Sequence, residues 1–263
     1  MTTRRAIVRR GVNAPDDLAV ESPLVLGLDP GHGSGQSEAI ATLMRTPGHD
    51  LELAAGWLTV ESGVRRPDDI IELRGCREDD TDRVHLRLAP GVRPPRPRAF
   101  VTSAACGVCS ADVLDLAPLR RADPHSRGWT VAADVVVTLP EVLRERQRAF
   151  KKTGGLHAAA LARVDGSLVC AFEDVGRHNA VDKVIGRTLL DGLLPASDHL
   201  LVVSGRVSFE IVQKAVAATV AGIVAVSAPS SLAVDLAREQ GLLLAGMVRN
   251  GSLNVYAGSE LVT

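Results

Sequence analysis

Aromatic side chains are scarce in this chain: two Trp, one Tyr and four Phe among 263 residues. The core must therefore be made of Val, Leu, Ile and Ala, a composition that suits sheets covered by helices. Charge of one sign is not in excess either, since 30 Lys and Arg stand against 31 Asp and Glu, a net charge of −1. No global field then draws nucleic acid or an anionic membrane surface. Long apolar runs are absent, none reaching the roughly 18 residues of a membrane span. Nothing at the N-terminus resembles a secretory h-region, so export is not indicated. Four cysteines in a chain of this length do not make a disulfide framework. A reducing cytoplasm fits that usage.

What is present is the composition of a soluble globular protein, 46% hydrophobic and 23% charged. The length allows one large domain or two modest ones. Arg4, Arg5, Arg9 and Arg10 make a basic N-terminus, read as a solvated arm or an edge strand. Residues 1–100 are β-rich. Ala19, Pro23, Val25 and Leu28 lie in a broken extended stretch, and residues 27–35 form a loop rich in Gly, Pro and Ser. Glu38 to Met44 is a strand, Arg45-Thr46-Pro47-Gly48 a turn, and Asp50 is placed to cap a helix to about Glu61. Val84, Leu86 and Leu88 alternate with His85 and Arg87, as a half-buried strand requires. The run from Gly91 to Pro97 reads as a boundary or semi-rigid connection. It divides a β-rich N-terminal region, 1–98, from an α/β domain, 99–263.

In the second region Thr138-Leu139-Pro140-Glu141 has the form of a capping box opening a helix to about Lys152. Val142, Leu143, Ala149 and Phe150 form its buried stripe, and Gly154-Gly155 stops it. Asp165-Gly166 joins two strands as a hairpin turn. Strands at 200–203, 223–227 and 242–248 then alternate with helices. One has its apolar stripe at Val181, Val184, Ile185, Thr188 and Leu189, another at Val212, Ala215, Val216, Thr219 and Val220, and a third opens at Pro229. Short loops between them predict a parallel sheet with covering helices.

The most reactive stretch is Thr102-Ser103-Ala104-Ala105-Cys106-Gly107-Val108-Cys109-Ser110. Small neighbours leave both thiols uncovered, and a short helix after Ser110 would place them at its positive end, which favours thiolate. Half a zinc site needs two further ligands, and no second C-x-x-C exists. The H-x-E and Pro of a zinc deaminase are missing, and a thioredoxin-like site belongs beside an early strand–helix unit. A nucleophilic or sulfur-carrying thiol, or an inert pair, remains. Cys76 and Cys170 read as inert small hydrophobes.

Glu173-Asp174-Val175-Gly176-Arg177-His178-Asn179-Ala180-Val181-Asp182-Lys183 joins a strand to a helix start. Backbone N–H groups and the dipole there attract anions, with Arg177, His178 and Lys183 as cationic donors. Glu173, Asp174 and Asp182 can orient those groups or accept hydrogen bonds. The plainer reading is a charged cap on a surface helix. Ser204-Gly205-Arg206 lies where open α/β sheets bind ligands, at the carboxyl end of a strand, though one S-G-R is a weak motif. Ala228-Pro229-Ser230-Ser231 is a second strand-to-helix turn of that kind. Arg249-Asn250-Gly251-Ser252 is most simply a hairpin turn, and His157, a single His on a strand, a structural group.

Together these pieces resemble the formate dehydrogenase accessory sulfurtransferases of the FdhD/NarQ type. The resemblance rests on Met44-Arg45-Thr46-Pro47-Gly48 with Leu51-Glu52-Leu53-Ala54, the C-G-x-C at Cys106 to Cys109, and Thr153-Gly154-Gly155-Leu156-His157. It rests equally on the eleven residues 173–183, Ser204-Gly205-Arg206 with Glu210 and Lys214, Ala228 to Ala233, and Arg249 with Val255-Tyr256. It runs from about Asp16 to Tyr256. It implies a cytidine-deaminase-like three-layer αβα domain with a β-rich N-terminal region, in a cytoplasmic homodimer. It implies that sulfane sulfur passes from a cysteine desulfurase to the molybdenum cofactor, a bis(molybdopterin guanine dinucleotide), required by formate dehydrogenase. By position Cys106 would carry the persulfide, Cys109 would be its partner, and Met247, Val248, Arg249, Asn250, Gly251 and Ser252 would contact the cofactor. Arg177, His178, Ser204, Gly205 and Arg206 are candidate anchors for its phosphates. No metal permanently ligated by the protein, no nucleic acid and no membrane are expected. His49 replaces an expected acidic residue, Ser110 a common Gly and Met247 a usual aromatic. A rival reading is a chaperone that binds the cofactor without transferring sulfur. A second is a thiol–disulfide oxidoreductase.

Overall fold

A computed structural model describes residues 1–29, 37–96, 101–102 and 128–263 of the chain, the pair 101–102 as backbone. Strands β1 (Thr2–Arg9) and β2 (Val12–Ala19) form an antiparallel arm of their own. Its arginines are solvated, and two are paired, Arg4 with Asp17 at 3.1 Å and Arg9 with Asp16 at 3.5 Å, as expected of the basic N-terminus. Next comes a five-stranded sheet of β3 (Ser22–Leu28), β4 (Glu38–Arg45), β5 (Ile70–Glu78), β6 (Thr81–Leu88) and β7 (Val101–Thr102), in the order β5-β6-β3-β4-β7. Helix α1 (Asp50–Glu61) covers it, packing Leu53, Ala54, Trp57 and Leu58 against Leu24, Leu26, Leu43, Val84 and Leu86. The alternation read at Val84 and Leu86 is this buried face.

The capping residue of α1 is not Asp50. His49 takes that place in the left-handed conformation, φ 59°, and its carbonyl accepts the Leu53 N–H at 3.0 Å. Asp50 is drawn instead to the guanidinium of Arg45, which is fully buried and needs compensating charge. Both Asp50 oxygens accept from Arg45 at 2.9 Å and Asp82 does so at 2.6 Å. The His49 ring lies edge-on to Phe172, centroids 4.6 Å apart, an aromatic contact no acidic residue would make there.

The second unit holds α2 (Ala133–Arg146), α3 (Arg148–Thr153), β8 (His157–Arg163), β9 (Leu168–Asp174), α4 (Arg177–Leu190), β10 (His199–Val203), α5 (Phe209–Ala217), β11 (Gly222–Ala225), α6 (Ser231–Glu239), β12 (Leu243–Arg249) and β13 (Ser252–Ala257). Its sheet runs β13-β12-β11-β10-β8-β9. The three central strands β10, β11 and β12 are parallel, with antiparallel neighbours on both sides. One face is covered by α4, α5 and α6 through Val181, Val184, Ile185, Val212, Ala215 and Leu236. The other is covered by α2 through Val136, Leu139 and Leu143. The result is a mixed α/β unit in three layers, helix–sheet–helix.

The capping box expected at 138–141 is not one. Helix α2 starts five residues earlier, at Ala133, and runs through Pro140. Thr138 Oγ1 donates back to the Val135 carbonyl at 2.8 Å rather than capping. Burial of Val136, Leu139 and Leu143 against the sheet outweighs the missing Pro140 N–H, a cost of about 3 kcal/mol in an isolated helix. The chain breaks its helix at Gln147, and α3 ends on Gly154, φ 65°, as read.

The two units meet along α1 and α4, and glycine makes the approach possible. A Cβ on Gly56 would stand 1.9 Å from the Asp182 carbonyl oxygen, and one on Gly186 only 1.8 Å from that of Glu52.

Candidate functional site

The carboxyl ends of β9, β10, β11 and β12 open on one edge of the six-stranded sheet, followed in the first three cases by the N-termini of α4, α5 and α6. Backbone bonds join β10 and the loop after it to the loop after β11, and that loop to β12. The N–H of Val226 reaches the Val203 carbonyl, Ser230 that of Val207, and Met247 that of Ser227, at 2.9 to 3.2 Å. Helix N-termini carry unsatisfied N–H groups and partial positive charge, so this edge attracts anions.

Side chains reinforce it. Arg177 and His178 open α4, and Arg206 is exposed in the loop after β10. Arg177 Nε is buried with no hydrogen-bond partner among the described residues. His157, the first residue of β8, packs with Arg177 over the backbone of Gly205, where a Cβ would lie 3.3 Å from His157 Nδ1 and 3.7 Å from Arg177 Cδ. Burial lowers the His157 pKa, and the charges of Arg177, His178 and Arg206 lower it further. His157 therefore lies against the cationic cluster, which disfavours its protonation, and is not an isolated structural His. His178 Nε2 lies 3.0 Å from Glu210 Oε2 and 3.2 Å from Ser208 Oγ, so it ties the start of α4 to that of α5. Ser204 Oγ accepts the Ala158 N–H at 2.8 Å, which leaves its O–H free to donate.

The long polar run divides into two sets. Arg177 and His178 face the site, whereas Asp174, Asn179 and Lys183 turn inward and clamp the turn at 44–46. Lys183 Nζ lies 2.7 Å from Asp174 Oδ2 and donates to the Thr46 carbonyl at 2.9 Å, with both ionic side chains fully buried. Asp174 also accepts from the N–H of Thr46 and Gly176. Asn179 Nδ2 donates to the Met44 carbonyl at 2.8 Å. Lys183 is thus a structural cation, and not the anion donor the sequence suggested. Lys214 is paired with buried Asp182 at 2.6 Å. Glu173 accepts the N–H groups of Ala149 and Phe150 and so caps α3.

The segment 247–252 lies on the same edge, two strands or about 10 Å from β10. Met247 is half-buried at φ 53°, beside a register shift in the β12–β13 ladder. Val248 is buried in the core facing α2, so its side chain does not reach this edge. Arg249, Asn250, Gly251 and Ser252 are the exposed hairpin tip, with Asn250 and Gly251 at positive φ as that turn requires. Cys106 and Cys109 lie outside the described residues. Before them, β7 pairs Thr102 with Leu43, next to the Met44 carbonyl held by Asn179.

Sequence reasoning missed the environment of Cys76, which is not an inert hydrophobe. It sits 3.0 Å from His85 Nε2 and 3.5 Å from Glu78 Oε1. Alternation along two paired strands was the available signal. Cys170 packs against the core as expected, and burial pushes its thiol up to about 11.

Residues 20–263 match the model of the FdhD/NarQ family. A relative named sulfur carrier protein FdhD from Nocardia farcinica is 44% identical, covering 99% of this chain and 94% of its own. One of the same name from Streptomyces coelicolor is 43% identical, covering 100% and 96%. A solved structure from Desulfotalea psychrophila, described as a candidate formate dehydrogenase accessory protein, superposes with a TM-score of 0.75 over 100% of this chain and 99% of its own. At 22% identity it supports the fold alone. The chain belongs to the FdhD/NarQ family.

Proposed function

We propose that this chain is a sulfurtransferase that carries sulfane sulfur from a cysteine desulfurase to the bis(molybdopterin guanine dinucleotide) molybdenum cofactor of a formate dehydrogenase. The observation that carries the reading is the buried Arg177 Nε, without a partner among the described residues, in a cationic cluster at converging helix N-termini. Such a group calls for an oxyanion, and the cofactor, here the substrate, offers phosphates at both guanine nucleotides. Arg177, Arg206 and the Ser204 hydroxyl are the donors assigned to them, with Arg249 and Asn250 further along the edge.

The reacting group is assigned to Cys106. It stands four residues beyond Thr102, a span of at most about 14 Å of extended chain. Thr102 in turn pairs beside the turn that Asn179 and Lys183 hold against the start of α4. In loading, the Cys106 thiolate attacks the outer sulfur of the desulfurase persulfide. The new S–S bond forms as the old one breaks, and the desulfurase cysteine leaves as thiolate. In delivery, the outer sulfur passes to the molybdenum centre as sulfide, which requires two electrons. Cys109 supplies them by closing a disulfide with Cys106, and an external thiol then restores both. The scaffold is read as cytidine-deaminase-like, and the working form as a cytoplasmic homodimer.

Formate dehydrogenase maturation in cells whose own carrier is deleted, with GDP binding by the purified protein, tests this. Cys106→Ala should abolish maturation while GDP still binds, and Arg206→Ala should weaken both. Maturation that survives Cys106→Ala overturns sulfur transfer and leaves a chaperone role.

A further inference from the structure

A second cluster of chemistry-bearing side chains lies on the N-terminal sheet, apart from the strand-end site. Strands β5 and β6 are joined by a tight turn at Asp79-Asp80, both at positive φ, with Cys76 opposite Arg83 and Glu78 opposite Thr81. Period-two alternation puts Cys76 and Glu78 on one face, with His85 diagonal to Cys76 on the same face. The intervening Gly75 and Val84 face α1. Three donor atoms of different kinds therefore converge: His85 Nε2 is 3.0 Å from Cys76 Sγ and 3.1 Å from Glu78 Oε1, and Cys76 Sγ is 3.5 Å from Glu78 Oε1.

We propose that Cys76, Glu78 and His85 form a site for a divalent transition metal, with zinc the best fit, open to solvent at its fourth position. Ligands on a tetrahedral zinc stand about 3.3–3.6 Å apart, given bonds of about 2.0–2.3 Å. The observed triangle needs to widen by at most about half an ångström, at its His85–Cys76 edge, within side-chain rotation. One thiolate, one imidazole and one carboxylate are a borderline-soft donor set that favours zinc over calcium or magnesium. His85 also has the second partner that metal-bound histidines use, since its Nδ1 lies 2.9 Å from Ser37 Oγ. With Nδ1–H donating to that hydroxyl, the Nε2 lone pair points at the site. Arg83 is 3.2 Å from the other Glu78 oxygen, so it holds that carboxylate to one-oxygen coordination and lowers affinity by its charge. Binding displaces the Cys76 thiol proton to solvent. This assignment departs from the expectation of no protein-ligated metal, and it does not depend on the sulfur-transfer reading.

The test uses the full, untagged chain with Cys106→Ser, Cys109→Ser and Cys170→Ala, which leaves Cys76 as the one thiol. Co²⁺ is titrated as the probe, followed by its thiolate charge-transfer absorption and then by displacement with Zn²⁺. The expected result is one Co²⁺ per chain with a thiolate band, bleached by one equivalent of Zn²⁺. Adding Cys76→Ser should abolish the band, and His85→Gln should weaken binding at least tenfold, with circular dichroism unchanged. No thiolate band in the starting protein, or a band that survives Cys76→Ser, overturns the proposal without reference to either variant's stability.

Discussion

Arg177 and His157 sit side by side over Gly205, and each makes a separate test of the strand-end site. Arg177→Gln removes a charged donor whose Nε has no partner among the described residues, so the fold should hold while GDP affinity falls about 10- to 100-fold. That follows from about 1.5–3 kcal/mol for hydrogen bonds to charged groups, read by calorimetric titration. His157 is depressed by burial first and by Arg177, His178 and Arg206 next. Below its ordinary pKa of about 6.5, the unfolded chain then binds the proton more readily than the folded one. Its contribution to stability is full above that pH and is lost as the pH falls toward the folded value. His157→Gln should therefore flatten the decline in Tm between about pH 7 and about pH 5. Saturating GDP should raise the His157 pKa in an NMR titration, because the bound phosphates offset the cations around it. No upward shift would place the nucleotide elsewhere. Sequence alone marks Arg177 and His178 as cationic donors but reads His157 as structural, because the residues that surround it come from 20 to 49 positions away.

Among elements, the strand-to-helix turn that opens α4 does two jobs, and the inward one is the more costly to disturb. Lys183→Met leaves the fully buried Asp174 without its ammonium and should cost about 3–5 kcal/mol, measured by urea unfolding. Coupling with Asp174→Asn should be strong, the double variant losing much less than the sum. Gly56→Ala drives a methyl against the Asp182 carbonyl of α4. It should destabilise the protein by about 1–3 kcal/mol by forcing α1 and α4 apart. The strand and helix succession from 156 onward was legible because each element carries its own apolar period and its own turn residues. The Asp165-Gly166 hairpin and the Gly154 stop are local chemistry of that kind. The division of labour in the run 173–183 was not legible, because it depends on Thr46, more than a hundred residues earlier. The true start of α2 was masked by Thr138 and Pro140, whose local preference loses to packing on the sheet. His49 as a left-handed cap was hidden for a similar reason, since Asp50 is claimed by Arg45.

For the whole molecule, the joining of two sheets by α1 and α4 puts the end of the N-terminal sheet, at β7, beside the turn that α4 clamps. Thr102, the last described residue before Cys106, therefore stands on the side of the molecule where the cationic cluster lies, and the two halves of the proposed reaction depend on that joint. No helix among the described residues is long and apolar enough to cross a membrane. Family membership was readable from ordered motifs spread along the chain, whereas the joint between the units was not, because it is a matter of two glycines on facing helices. The central claim is that Cys106 carries sulfur. Intact-protein mass after incubation with an active cysteine desulfurase and cysteine, for the native chain and Cys106→Ala, tests it most directly. A gain of sulfur in the native chain, removed by reductant and missing from the variant, is the predicted result. An unchanged mass in the native chain, or an equal gain in Cys106→Ala, would contradict it.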